Sequence, residues 1–153
     1  MRAILASLLL GFACASPGPV VLVEVYEGGP ELDQTRLREL ARDFYARLEN
    51  RRFNSLATFQ DPGLREFFRT QESYSDYYAE LAYDLERAHF EASRPTRVRV
   101  LSATRESGAR VRLVVSFTGD NGLPLRWWKI DLERDDLWEV DPTGRWWIVP
   151  GKV

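Results

Sequence analysis

The chain has 153 residues, of which 44% are hydrophobic and 29% charged, and these proportions suit a single globular domain after removal of any leader. The formal net charge is -2 and no basic block dominates, which argues against a nucleic-acid-binding surface. One cysteine, Cys14, and one histidine, His89, exclude an internal disulfide, a cysteine-based zinc site and a histidine-rich metal site. We therefore expect no metal and no cofactor.

Residues 1–15 have the pattern of a signal peptide. Met1-Arg2 precedes an apolar run over residues 3–13, which is too short to span a membrane. Two processing outcomes stay open: cleavage after Ala15, or lipidation of Cys14, because residues 10–14 resemble a bacterial lipobox that ends at this cysteine. Both predict export to the cell envelope or periplasm, either lipid-anchored at Cys14 or soluble after cleavage near Ala15.

Residues 16–30 form a predicted linker that contains a candidate strand. Val21, Val23 and Val25 alternate within residues 20–26, and a Gly-Gly-Pro sequence at 28–30 ends the pattern. This strand either joins an edge of the main sheet or serves as an extended tether.

Helical signals begin after residue 30. A stripe of apolar residues within 37–48 predicts a first helix, capped by Asp33 or Thr35. Two short helical pieces follow. Asn54 is the predicted cap of the first, and Asp61 caps the second with Pro62 at its first position.

A third helix is predicted to open at Ser73 and to be closed by Pro95. One stripe of this helix is apolar and consists of Tyr74, Tyr78, Leu81, Leu85 and Ala88. Tyr83 and Phe90 lie on its other side, which predicts contacts on two faces.

Residues 97–149 predict consecutive antiparallel strands joined by short loops. The clearest strand has alternating apolar residues, Val111, Leu113, Val115 and Phe117. Further alternation over 97–100 and 123–133 predicts two more strands, with turns at 107–108 and at Gly-Asp-Asn-Gly 119–122. Adjacent aspartates at 135–136 are predicted to break the third strand, and Asp-Pro-Thr-Gly 141–144 to separate the last two.

The five tryptophans of the chain all lie in this region: Trp127, Trp128, Trp138, Trp146 and Trp147. They fill either a thick core between helices and sheet or the wall of an aromatic cavity, and we favour the core.

The element order resembles the nuclear transport factor 2-like superfamily over residues 31–149. Local matches are Asp-Phe-Tyr-Ala-Arg-Leu at 43–48 with Arg-Phe-Asn-Ser-Leu at 52–56, and Gly-Arg-Trp-Trp-Ile at 144–148. The resemblance implies an α+β domain over residues 31–153, in which three or so N-terminal helices pack on a strongly curved four- to six-stranded antiparallel sheet, the cystatin-like cone. It also implies a cavity at the open end of the cone and a homodimer through the sheet. Candidate pocket residues are Tyr74, Tyr78, Phe117, Trp128 and Trp146.

Two residues are candidates for catalysis. His89 is a candidate because histidine is the side chain whose unperturbed pKa lies near neutrality, but its predicted place in the last turn of a helix favours a purely electrostatic role. Asp131 shares a strand face with Lys129 and Glu133 and would need a cavity wall to desolvate it. Period-two patterning instead favours a solvated face with Lys129 paired to Asp131.

Other polar groups on the predicted sheet and helices also have ordinary explanations. Tyrosines of the third helix could donate hydrogen bonds to a ligand, although core packing is favoured. A predicted basic stripe crosses adjacent strands and consists of Arg97, Arg99, Arg110 and Arg112, which we expect to be the solvent face of the sheet.

These features favour an exported, membrane-tethered, non-catalytic binding or interaction domain of the cell envelope. Its partner would be an envelope protein or a small apolar ligand. The alternative is a small-molecule enzyme of the isomerase or dehydratase type that acts in the cone cavity, and it would require an ionisable side chain there.

Overall fold

The structure, a computed structural model, describes residues 34–151. The predicted signal peptide, Cys14, the candidate strand at 20–26 and Asp33 lie outside the described residues. Four helices precede four strands: α1 (Gln34–Leu48), α2 (Leu56–Phe59), α3 (Pro62–Arg65), α4 (Gln71–Arg87), β1 (Phe90–Arg105), β2 (Arg110–Asn121), β3 (Lys129–Val140) and β4 (Trp146–Val149).

The four strands form one antiparallel sheet in the order β1-β2-β3-β4, and the sheet curls into a half-barrel. Register shifts interrupt the β1–β2 pairing at three places, two of them next to Pro95. Such irregularities increase local twist and bend a strand, which suits a curled sheet. The predicted α+β class, with helices on a curved antiparallel sheet, is confirmed, and the described sheet has four strands.

The core lies between the concave face of the sheet and the helices. Val115 and Phe117 of β2 are fully buried, as are Phe44 of α1 and Leu81 and Leu85 of α4. The period-two pattern of β2 and the main apolar stripes of α1 and α4 were therefore predicted correctly, because burial on one face dictates both periods. The contacts predicted for Tyr83 and Phe90 on a second face of the third helix were wrong, since Tyr83 is 59% exposed and Phe90 is the first residue of β1.

The starts of two helices differ from prediction, and the start of a third agrees with it. α2 follows Ser55, not Asn54. α4 begins at Gln71 because Thr70, not Ser73, is its cap, and the Thr70 hydroxyl accepts a hydrogen bond from the Ser73 N–H at 3.0 Å. Asp61 caps α3 as predicted, with its carboxylate 2.8 Å from the Gly63 nitrogen.

Pro95 does not close the third helix. α4 ends at Arg87, and His89 follows in the left-handed region with φ 64°. Pro95 lies inside β1, which is at the edge of the sheet formed by the described strands, where a missing N–H costs no ladder hydrogen bond with β2. The prediction was wrong because a positive φ at the helix end stops a helix before any proline is needed.

The turn expected at residues 119–122 is part of β2, which continues to Asn121. The glycine at position 119 reflects a close contact within the sheet instead of a turn, because a Cβ there would come within 2.4 Å of Phe90 Cδ1. The strand expected over 123–133 begins only at Lys129, and residues 122–128 form the loop between β2 and β3.

The turn at residues 141–144 is confirmed between β3 and β4. Asp141 organises it by accepting hydrogen bonds from the Thr143 hydroxyl at 2.6 Å and the Trp147 indole at 2.9 Å. These bonds hold the pKa of Asp141 well below its usual range.

Candidate functional site

The most polar part of the interior is built on β3. Arg134, Asp136 and Trp138 occupy alternate positions of this strand and so share its concave face. Asp136 is 2% exposed and Trp138 is fully buried. The adjacent aspartates at 135–136 therefore do not break the strand, because the buried carboxylate of the second one is fully supplied with donors.

Three donors converge on the Asp136 carboxylate. Tyr45 of α1 and Tyr77 of α4 donate through their hydroxyls to Oδ2, at 2.9 and 2.8 Å. Arg134 donates through Nε to Oδ1 at 3.0 Å. The Trp138 indole N–H reaches the Tyr45 hydroxyl at 3.2 Å. We call these five residues the Asp136 network. It joins both long helices to the third strand.

Arg134 connects the network to α4 and to the surface. Its guanidinium lies 4.9 Å from the centre of the Tyr77 ring and 3.1 Å from Asp84 Oδ2. Glu80 is a further ionic partner at 3.8 Å, and its Oε1 is buried with no hydrogen-bond partner among residues 34–151. The Arg134 side chain is only 10% exposed, so its charge is compensated almost entirely by protein groups.

The environment fixes the protonation of the network. Burial, and next the Asp136 carboxylate, raise the pKa of Tyr45 and of Tyr77 well above the usual value. Burial alone would lower the pKa of Arg134, but the neighbouring Asp136 and Asp84 carboxylates outweigh it and raise that pKa. The two phenols therefore stay protonated donors and the guanidinium stays charged.

Aromatic rings seal the network from solvent. The Phe44 ring packs 5.2 Å from Tyr45, 5.7 Å from Tyr77 and 6.0 Å from Trp138, measured between ring centres. Among the depressions of the described surface, one lies beside Arg134 and another beside Trp147, and Asp136 lines neither of these. A substrate could reach the carboxylate only if this aromatic packing opened. The arrangement therefore suits structural support of the core.

The two catalytic candidates lie apart from this network. His89 is exposed just beyond α4, where its carbonyl oxygen accepts a hydrogen bond from the Gly122 N–H at 2.8 Å. Asp131 is exposed on β3 and accepts a hydrogen bond from the Thr118 hydroxyl at 2.5 Å. Lys129 pairs with Asp120 instead of the expected Asp131.

The five candidate pocket residues do not surround one space. Phe117, Tyr74 and Trp146 are buried in the core, and Trp128 is 50% exposed on the β2–β3 loop. Tyr74 and Tyr78 do come together, with ring centres 6.2 Å apart. Their hydroxyls donate to the carbonyl oxygens of Thr58 and Ser55, which anchors the α2 region.

The four arginines of the predicted stripe are exposed on the convex face but lie in two separate places. Arg97 and Arg99 pair with the far end of β2, at Thr118 and Ser116, while Arg112 lies near its start. Arg112 is neutralised by Glu106 and Asp135. Arg110 is paired with Glu139. The antiparallel register thus separates residues that are close in sequence.

The largest exposed apolar group of the described surface is the loop of residues 122–128, which we call the tip. Leu125 is 89% exposed, Trp127 88% and Trp128 50%. The sequence prediction missed the tip because alternation over 123–133 looked like one strand. The available signal was Leu-Pro-Leu at 123–125, since proline disfavours a ladder position.

Within residues 34–151, no His, Cys, Asp or Glu side chains are grouped so that three could hold a metal ion. No helix in the same range has the length and hydropathy needed to cross a membrane. Comparisons with protein-family models, curated proteins and solved structures gave no significant match to the chain.

Proposed function

We propose that the chain is an exported, membrane-tethered, non-catalytic interaction domain of the cell envelope, with a nuclear transport factor 2-like fold. The signal-peptide pattern of residues 1–15 supports export, and Cys14 at the end of its apolar run supports a lipid tether. The order of helices and strands, with helices on a curled sheet, is compatible with the proposed fold.

One observation carries the non-catalytic assignment. The Asp136 carboxylate is the one acidic side chain in the described core, and it already accepts hydrogen bonds from Tyr45, Tyr77 and Arg134. An enzyme of the isomerase or dehydratase type would need such a group to face a cavity large enough for substrate. Here the space around it is occupied by Phe44 and Trp138.

Native mass spectrometry of residues 19–153 tests this assignment. We expect the mass of the bare polypeptide, as a monomer or dimer, because the interior is filled by protein side chains. A co-purifying small molecule that disappears in Phe44→Ala or Trp138→Ala while the protein remains folded would contradict the proposal. A surface variant, Leu56→Ser, provides the control for general effects of substitution.

The tether is tested separately on the full chain in a bacterial host. We expect the chain to fractionate with membranes and to incorporate labelled fatty acid, and Cys14→Ser to abolish the label and to lower the share of the protein that stays with the membranes. Equal distribution of the two proteins, without label in either, would instead support cleavage after Ala15 and a soluble form.

A further inference from the structure

The tip places large apolar side chains where the fold leaves much of their surface exposed to solvent. Leu125 and Trp127 are the two most exposed large apolar residues of the described surface. Isolated exposed apolar residues are normal, but several together at one projection usually mark a binding surface.

The backbone of the tip is held in place from inside the fold. The Gly122 N–H donates to the His89 carbonyl oxygen at 2.8 Å, and the Leu123 N–H donates to Asn121 Oδ1 at 2.9 Å. The Arg126 N–H donates to the Leu123 carbonyl oxygen at 3.3 Å. The apolar side chains are therefore presented by an ordered turn.

Leu125 has a φ of 62°, in the left-handed region that favours glycine. A leucine there is conformationally costly and gains nothing from packing, since its side chain is almost wholly exposed. Stability of the free protein thus does not account for a leucine at this position. Contact with an apolar surface outside the chain would account for it.

The chemistry of the tip fits the interfacial region of a bilayer. Trp127 and Trp128 form an edge-to-face pair with ring centres 6.3 Å apart. Neither indole N–H donates to an acceptor among residues 34–151. Indoles with a free N–H prefer the boundary between acyl chains and headgroups, and Arg126, 5.6 Å from the Trp128 ring, can reach a headgroup phosphate.

The size of the tip also argues against a protein partner. A stable protein interface buries about 800 Å² on each side and involves about 20 residues or more of each partner. The tip has seven residues, and charged groups border it at its base, including the Lys129–Asp120 pair and Asp131. A convex projection of this size can insert into a fluid surface but offers no groove for a peptide.

We infer that the tip, through Leu125, Trp127 and Trp128, inserts into the headgroup region of a phospholipid bilayer and orients the domain on the membrane. The inference deepens the proposed function, and rests on it only in that export brings the domain to an envelope bilayer. Because insertion is driven by apolar area, it does not depend on a lipid at Cys14 or on anionic lipids.

Sedimentation with phosphatidylcholine vesicles tests the inference. The protein is the exported chain with Cys14→Ser, so that no acyl chain contributes. We expect it to cosediment, and Trp127→Ser/Trp128→Ser to lower the partition coefficient at least tenfold. Leu125→Gly should lower it roughly tenfold. This second variant also relieves the strained φ, so a loss of binding cannot be attributed to misfolding.

Leu56→Ser is the matched control, because Leu56 is 67% exposed on α2, away from the tip. Its partition coefficient should stay within about twofold of the parent. Raising the salt concentration, or mixing in phosphatidylglycerol, should also change binding by no more than about twofold, since Arg126 is the one cation of the tip.

Three results would overturn the inference. The first is that the parent protein does not cosediment with the vesicles, or that the double tryptophan variant binds them as well as the parent does. The second is binding that requires phosphatidylglycerol and disappears in salt, which would indicate an electrostatic contact. The third is a concentration-dependent dimer in analytical ultracentrifugation that the double variant loses, which would assign the tip to a second copy. None of these depends on lipidation of Cys14 or on the ligand test.

Discussion

At the scale of single residues, Asp136 decides the polar character of the core. A buried carboxylate is tolerated only when donors replace its lost hydration, and here two phenols and a guanidinium do so. Replacing all members of the network by apolar residues can leave the free energy of unfolding unchanged. Removing one member costs stability, because it leaves its partners buried without their hydrogen bonds. The network is therefore more sensitive to single substitutions than its net contribution to stability suggests.

Asp136→Ala should lower the free energy of unfolding by about 3–5 kcal/mol, because it leaves two buried hydroxyls without an acceptor and removes the most deeply buried of the carboxylates that pair with Arg134. Urea denaturation measures this effect. Asp135→Ala is the control one residue away: its exposed carboxylate pairs with Arg112, and its loss should cost less than about 1 kcal/mol. Similar costs for the two variants would show that the Asp136 network does not stabilise the fold.

The buried tyrosines should make the fold sensitive to alkali. Their folded pKa values lie above the usual 10, so both states hold the phenol proton below pH 10. Above pH 10 the unfolded chain releases protons that the folded chain retains. The free energy of unfolding should therefore fall by about 1.4 kcal/mol per pH unit for each of Tyr45 and Tyr77 until the folded pKa is passed.

Urea denaturation at intervals above pH 10 measures this slope. Tyr77→Phe should remove about half of the slope that Tyr45 and Tyr77 together contribute above pH 10. This holds whatever the substitution does to stability at neutral pH. Tyr83→Phe, at a side chain that is 59% exposed, is the comparison and should leave the slope as it was. An unchanged slope in Tyr77→Phe would mean that this phenol titrates alike in both states.

At the scale of elements, the β1–β2 hairpin is shaped by the close approach of the Phe90 ring to Gly119. Gly119 lies opposite Pro95 on one side and Ile130 on the other. A Cβ there would meet Phe90 Cδ1 at 2.4 Å, Phe90 Cε1 at 2.7 Å and the Arg94 carbonyl oxygen at 3.0 Å. The glycine lets the first residue of β1 pack down onto β2, where the strand pairing is irregular.

Gly119→Ala should therefore destabilise the protein by about 1–3 kcal/mol through overpacking against Phe90. Thermal or chemical denaturation would show the change. Gly108→Ala is the matched control, because a Cβ there meets no atom within 4 Å, and it should alter stability by less than about 0.5 kcal/mol. If the two alanines behaved alike, the approach of Phe90 would not be what requires the glycine.

At the scale of the whole molecule, the sequence predicted those helices and strands in which the spacing of apolar residues matches the face that is buried. The alternation of Val111 to Phe117 and the Asp61–Pro62 helix start both follow from local rules, and the structure confirms them. The turn at Gly119 and the break at Asp136 were wrong because tertiary contacts override local signals there. A glycine admits a neighbouring ring, and an aspartate meets donors from two distant helices.

The candidate site could be predicted only in part. Period two places 134 and 136 on the face of Trp138, which was an available signal for the network. That Tyr45 and Tyr77 would meet there could not be deduced, since it depends on how α1 and α4 cross the sheet. The exposure of the tip was equally beyond local rules, because apolar alternation ordinarily indicates burial.

A single core that includes both long helices and the concave face of the sheet should unfold as one unit. The loss of helix, followed by far-UV circular dichroism, should coincide in urea with the loss of the buried tryptophan environment, followed by fluorescence. Trp138→Phe should shift both transitions together, by about 2–3 kcal/mol, because Trp138 is fully buried and donates to Tyr45. Trp127→Phe, the same exchange at an exposed position, should shift neither. In Trp138→Phe, a helical circular dichroism signal that persisted at urea concentrations above the fluorescence transition would mean that contacts other than those with β3 hold the helices. In that case the Asp136 network would not be what joins the helices to the sheet.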